Sequence, residues 1–185
     1  MDLFNQLLGF ILGLLSSWAF WRLLLLTKPK IEVAPLIAYS SKENILRIKA
    51  INRSRRQAVD IDISLVVAET KDNIQNTTIF RPELKNPHRQ VLDPAHPKES
   101  AWKLPTSTVF RVSNARKILA LLSADSIERR LMLTISATDA MSGTKVVDRI
   151  TYTREQIQDG IFRSGKTFEI IMIEAKKRNK KSPSK

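Results

Sequence analysis

The chain has 185 residues, with 31 Lys and Arg against 18 Asp and Glu, for a formal net charge of +13. It contains no cysteine, which excludes thiolate catalysis and cysteine-ligated zinc. The basic balance sets two partners to weigh, nucleic acid and an anionic membrane surface.

The first element is the apolar run Leu3 to Leu26, followed at once by Lys28-Pro29-Lys30. About 20 apolar residues suffice to cross a hydrocarbon core about 30 Å thick. A cleaved signal peptide has a basic start, a core of about 7–15 apolar residues and a small-x-small site. Here the start is Met1-Asp2, the core is longer, and Arg22-Leu23-Leu24-Leu25-Leu26-Thr27 follows. A buried soluble helix is disfavoured because the segment is apolar on all sides. Residues 1–27 therefore read as a transmembrane anchor helix. Lys and Arg collect on the cytoplasmic side of such helices. They are absent before the span, whereas Arg22, Lys28 and Lys30 lie at its other end beside Trp18 and Trp21. The N-terminus is thus expected outside and the rest in the cytoplasm, at the cell membrane. Gly9, Gly13 and Ser17 form a small-residue stripe of the kind that lets helices associate in lipid.

Residues 28–173 are long enough for one domain with a real core. Their periodicity is mostly two. Leu46, Ile48 and Ala50 alternate with Arg47 and Lys49. Ile61, Ile63, Leu65 and Val67 alternate with Asp60, Asp62 and Ser64. Leu131, Leu133 and Ile135 alternate with Met132, Thr134 and Ser136, and Ile150 and Tyr152 share a face. These short runs are bounded by turn formers such as Asn52, Asn73, Asn86-Pro87 and Ser142-Gly143. The pattern predicts half-buried antiparallel strands in a mainly β, two-sheet sandwich. One short amphipathic helix is predicted over Asn114 to Leu122, with Ser113 as its N-cap. The Pro-rich stretch from Arg81 to Pro105 reads as the longest irregular connection. Phe168 to Ile173 is apolar on both faces except at Glu169, which predicts a central or covered strand, with a contact to a second subunit as the alternative. Residues 174–185 form a basic, polar tail with the composition of a disordered segment.

Arg53, Arg55 and Arg56 cluster in a predicted turn. A protein held at an anionic leaflet gains roughly 1 kcal/mol per nearby Lys or Arg. Arg22, Lys28, Lys30, Arg53, Arg55 and Arg56 are the candidate lipid-binding residues. Base stacking in nucleic-acid binders needs aromatic residues among the basic ones. The only tyrosines, Tyr39 and Tyr152, lie outside the basic clusters, so the sequence argues against nucleic acid. The two histidines, His88 and His96, flank Asp93. A metal pair or a His–Asp base there is set against ordinary exposed loop histidines. Asp60 and Asp62 read as a solvated strand face rather than a cation site. Asn52-Arg53-Ser54 and Asn76-Thr77-Thr78 match the glycosylation pattern, without consequence in a cytoplasmic domain. No nucleophile elbow or phosphate loop occurs. The sequence points to no enzyme and implies no cofactor or metal.

The order of motifs resembles the cytoplasmic domain of inward-rectifier potassium channels. The run Lys28-Pro29-Lys30, Ala38-Tyr39-Ser40, Leu46-Arg47-Ile48 and Asn52-Arg53-Ser54, then Val59 leading into a strand, matches the start of that domain. Leu131 to Ser136, Asp139, Ser142-Gly143-Thr144, Arg149, Tyr152, Ile157, Gly160 and Phe162 match its end. The resemblance covers roughly residues 28–170 and implies an immunoglobulin-like sandwich on the cytoplasmic end of a membrane helix. It also implies anionic-lipid contacts at Lys28, Lys30 and Arg53, with Lys at position 28 where the family has Arg, and a tetramer. The chain lacks a second membrane helix, a re-entrant pore segment and the Thr-Val-Gly-Tyr-Gly filter, so it has nothing from which to build a carbonyl-lined pore. The leading expectation is a single-pass, membrane-anchored, non-catalytic cytoplasmic binding or regulatory module on anionic lipid, with a homo-oligomer or a membrane-protein partner. The alternatives are a subunit of an ion channel or transport complex and a membrane-tethered nucleic-acid binder.

Overall fold

The computed structural model describes residues 3–26, 28–71, 75–94, 105–123 and 128–172. In chain order the elements are α1 (Leu3–Leu26), β1 (Ile31–Val33), β2 (Ile37–Ser40), β3 (Ile45–Asn52), β4 (Ala58–Lys71), β5 (Gln75–Phe80), β6 (His88–Leu92) and β7 (Ser107–Val112). They continue as α2 (Ala115–Leu122), β8 (Arg129–Asp139), β9 (Lys145–Tyr152), β10 (Ile157–Asp159), β11 (Ile161–Phe162) and β12 (Ile170–Ile171). The domain is mainly β and packs two sheets as a sandwich. In one, β3 pairs with β7 along one edge and with β1 and β2 along the other, and β10 adds in parallel to β2. In the other, β4 pairs with β5 and β6 on one side and with β8 on the other, and β9 forms the outer edge.

The core is made by the rows that the alternation predicts. Leu46, Ile48 and Ala50 of the first sheet face Ile61, Ile63, Leu65, Val67, Leu131, Leu133, Ile135 and Tyr152 of the second, all buried. Removing such side chains from water contributes roughly 1.5–3 kcal/mol each. The sheets are also joined by a polar bond. Tyr152 Oη on β9 donates to the carbonyl of Ala34, 2.7 Å away, next to β1, and burial raises the Tyr152 phenol above its ordinary range. The helix α2 buries Ala115, Ile118 and Leu122 against this core.

Four sequence expectations need correction. Ser113 does not cap α2. The N-cap position is Asn114, in a left-handed conformation and without a side-chain cap bond, and the cap comes from Asn44 Oδ1, which accepts from the Arg116 N–H at 2.8 Å. The segment from Phe168 is not a central strand. Only Ile170–Ile171 is extended, pairing with Ile161–Phe162 as a two-stranded ribbon; residue 173 lies outside the described residues. The ribbon lies on the outer face of the first sheet, where Phe162, Phe168 and Ile170 meet Ala34, Ala38 and Val109. That cover removes the expected solvated face of β3. Lys49 is only 1% exposed, and its Nζ donates to the carbonyls of Arg163 and Thr167, 2.7 Å each. Finally, the Pro-rich stretch is not wholly irregular, since it holds β6 and a bridge between Leu84 and Val112; residues 95–104 lie outside the described ones.

Strand direction sorts the loops into two ends. β3, β6 and β8 run toward the end at which the chain arrives from α1, and β4, β7 and β9 start there. Backbone bonds lace this near end together. The N–H of Arg53 donates to Lys30 (2.8 Å), that of Asn52 to Thr106 (3.0 Å), that of Asp93 to Pro105 (3.0 Å) and that of Ala140 to Gln57 (3.1 Å).

Candidate functional site

The near end is where the predicted basic residues converge. The Arg53–Gln57 turn is held by Asn52, which is wholly buried. Its Nδ2 donates to the carbonyls of Arg56 and Leu92, 2.9 Å each, and its Oδ1 accepts from the Ser54 N–H at 3.0 Å. Asn52 is thus a loop organiser with no amide hydrogen left for a glycan.

The collar is not uniformly available. Lys28 and Lys30 are exposed and make no ion pair among the described residues. Arg55 is exposed as well. Arg53 is engaged by Glu32, with Nε 2.6 Å from Oε2, and its Cζ lies 5.8 Å from the Phe168 ring centroid. Arg56 Nη1 is 3.8 Å from Asp139 Oδ1. The structure therefore groups Lys28, Lys30, Arg53, Arg55 and Arg56 at one end, and two of the five are partly neutralised there. Arg22 stands apart on α1, its Cζ 5.2 Å from the Trp18 ring centroid. Gly9, Gly13 and Ser17 lie on the same exposed helix, and a Cβ built at either glycine meets nothing within 4 Å.

The neighbouring β8–β9 hairpin was legible as a turn at Ser142-Gly143, but its place in the collar was not. Asp139 is buried, and its Oδ1 accepts from the N–H groups of Ser142 (2.7 Å) and Met141 (3.1 Å), while Oδ2 is buried without a partner. Burial alone would raise the Asp139 carboxyl. The bonds from Ser142 and Met141 and the nearby Arg56 charge outweigh it and hold the group below its ordinary value. This fixed turn carries Met141, 77% exposed, and leads into exposed Lys145. Antiparallel pairing of β4 with β8 puts the Arg53–Gln57 and Ala140–Thr144 turns side by side, a neighbourhood that local sequence pattern does not carry.

Between the edges of the two sheets lies a cleft of about 210 Å³. Lys30 and Ile31 line one side, and Ile135, Val146 and Asp148 the other. Tyr152 closes the same seam farther along, through its bond to Ala34.

The remaining candidates separate. His88 Nδ1 lies 2.7 Å from Asp62 Oδ1, both exposed. Asp93 is instead buried and accepts from Gln57 Nε2 at 2.8 Å, so no His88–Asp93 pair forms; His96 lies outside the described residues. Asp60 and Asp62 are exposed on either side of buried Ile61, as a solvated strand face requires, although the β4–β8 register shifts between Val59 and Asp62 and Asp60 sits at φ 49°. No group of three or more metal-ligating side chains occurs among the described residues. The tail 174–185 lies outside them.

Among the described residues one helix, Phe4–Leu23, is long and apolar enough to cross a membrane, with mean hydropathy 1.2 and no part of that window buried. No protein-family model matches the chain, and no curated protein does. Among solved structures the chain is similar to the periplasmic chaperone SfaE, at 12% identity and a TM-score of 0.38, over 66% of this chain and 54% of that one. The chain thus spans about half the length of that protein, a likeness too slight to bear on function.

Proposed function

We propose that this protein is a single-pass membrane protein whose cytoplasmic sandwich is a non-catalytic binding or regulatory module, seated on anionic lipid through its basic near end. One observation carries the reading. A helix apolar on every side, with large side chains such as Phe4, Phe10, Leu14 and Trp18 exposed, leads directly into the end of the sandwich where Lys28, Lys30, Arg53, Arg55 and Arg56 gather. At 1.5 Å per residue α1 is about 36 Å long, enough for a hydrocarbon core of about 30 Å. Lipid supplies the apolar surroundings that the domain does not. The headgroups then meet Lys28, Lys30 and Arg55 first, because Arg53 and Arg56 already have carboxylate neighbours.

The orientation follows from Arg22, Lys28 and Lys30 on one flank of the span. Gly9, Gly13 and Ser17 offer a face for self-association, and the resemblance to inward-rectifier domains favours a tetramer. The test is alkaline extraction of membranes, with the mass of the protein recovered and protease access from each side. The reading requires an intact N-terminus in the membrane pellet and cleavage of the domain only from the cytoplasmic side. A soluble protein lacking residues 1–27 overturns it. A tetrameric mass in nanodiscs that falls with Gly13→Leu supports helix-mediated assembly, and a monomer removes it.

A further inference from the structure

The cleft at the near end holds two opposite charges that do not meet. Asp148 sits opposite Ile135 in the β8–β9 register, on the side of β9 that elsewhere carries Val146, Ile150 and Tyr152. Its Oδ1 accepts only the N–H of Arg149, at 2.8 Å. Lys30 stands on the other wall, just before β1, and the nearest acid in sequence, Glu32 on β1, is engaged by Arg53. Neither Lys30 nor Asp148 has an ion-pair partner within 4.0 Å among the described residues, although both line one cleft. Ile31, Ile135, Ser136 and Val146 line the cleft between them, and both charged residues are exposed to solvent.

We propose that this cleft binds a zwitterion of the phosphoethanolamine type, with its phosphate against Lys30 Nζ and its primary ammonium against the Asp148 carboxylate. Such a ligand bridges two charges too far apart to satisfy each other. A primary ammonium donates hydrogen bonds to a carboxylate, and these are the strong, charge-assisted kind. A trimethylated choline has no N–H to donate, and quaternary ammonium ligands are held by aromatic cages, whereas no aromatic side chain lines the cleft among the described residues. At about 210 Å³ it is smaller than the roughly 300 Å³ of sites that enclose drug-sized ligands, so it fits a headgroup rather than a whole lipid. The same chemistry has two sources, a phosphatidylethanolamine headgroup and free phosphoethanolamine. The choice of lipid as source rests on the proposed function, since Lys30 follows the apolar helix by four residues. An acid facing the seam from an edge strand also discourages edge-to-edge pairing, and the test separates that role.

Full-length protein in detergent is exposed to short-chain phosphatidylethanolamine, phosphatidylcholine and phosphatidylglycerol, and lipid retention is read by native mass spectrometry. Free phosphoethanolamine is titrated separately. The expected result is retention of the ethanolamine lipid over the choline lipid by about tenfold. Asp148→Asn abolishes that preference and leaves phosphatidylglycerol retention unchanged. Val146→Phe, which fills the cleft with both charges in place, abolishes it as well; thermal melts confirm that each variant is folded. Equal retention of the two lipids, without binding of free phosphoethanolamine, overturns the proposal. So does a preference that survives Asp148→Asn, which leaves the acid only its edge-protecting role. Binding of free phosphoethanolamine without lipid preference supports the site and assigns a soluble source. Loss of phosphatidylglycerol retention alone defeats the lipid reading of the collar, not the cleft.

Discussion

Tyr152 Oη lies 2.7 Å from the carbonyl oxygen of Ala34, joining the edge of one sheet to the connection that follows β1 in the other. Tyr152→Phe keeps the ring and leaves a buried carbonyl unpaired, at a cost of about 1–3 kcal/mol. A drop in thermal stability of that order is expected, with hydrogen exchange rising first along β9 and around Ala34. Unchanged stability and exchange would mean that water satisfies the carbonyl equally well. Because the Tyr152 pKa is raised above its unfolded value of 10.0, its contribution is fully present below about pH 10 and declines as the pH rises above it.

Asn44 and Ser113 make opposite predictions for α2. Asn44→Ala removes the acceptor for the Arg116 N–H and is expected to cost about 1 kcal/mol, whereas Ser113→Ala costs little. Chemical denaturation of the two variants decides between a cap from the β2–β3 turn and one from the preceding residue. A larger loss at Ser113 would contradict the structure.

The β11–β12 ribbon depends on Gly160. A Cβ there would lie 2.6 Å from both Ile170 Cγ2 and the Ile171 carbonyl oxygen, and φ is +142°. Gly160→Ala is expected to lift the ribbon at a cost of about 1–3 kcal/mol for backbone strain alone. Lys49→Met removes the other fastening, while also removing an ammonium whose pKa burial holds below the ordinary lysine value. Its effect on global stability is therefore small, but exchange at the Arg163 amide, which donates to the Glu169 carbonyl at 2.9 Å, should quicken. Unchanged exchange in both variants would show that the apolar contacts of Phe162, Phe168 and Ile170 suffice.

Asp139 gives an acid-limb prediction. Its folded pKa lies below the unfolded value of 3.8, so its contribution is fully present above 3.8 and is lost as pH falls through the folded value. Thermal melts from about pH 6 to about pH 2 should show a flatter acid limb for Asp139→Asn than for the parent protein. Parallel curves would contradict the hydrogen-bonding pattern assigned to this turn.

The core rows were legible because burial on a strand repeats every second residue, and Ile61, Ile63 and Leu65 or Leu131, Leu133 and Ile135 obey that rule without outside help. The α2 segment was legible for the same reason at helical spacing. What escaped depends on distant partners. The carbonyls that hold Lys49 lie 114 and 118 residues away, and the cap at Arg116 comes from 72 residues away. Local periodicity carries no trace of either. The basic collar was legible as residue types, but the pairing of Arg53 with Glu32 and of Arg56 with Asp139, and the place of Met141 beside them, appear only once strand directions are known.

The central claim is that the near end rests on anionic lipid while the far end stays in water. The chain has no cysteine, so an environment-sensitive fluorophore can be placed by Met141→Cys at the near end or Lys42→Cys in the far β2–β3 turn. Full-length protein is then reconstituted in nanodiscs with and without phosphatidylglycerol. The account predicts a blue-shifted emission at position 141 that requires the anionic lipid and disappears when Lys28, Lys30, Arg53, Arg55 and Arg56 are changed to Gln, with position 42 water-like throughout. Water-like emission at both positions in anionic nanodiscs would contradict it.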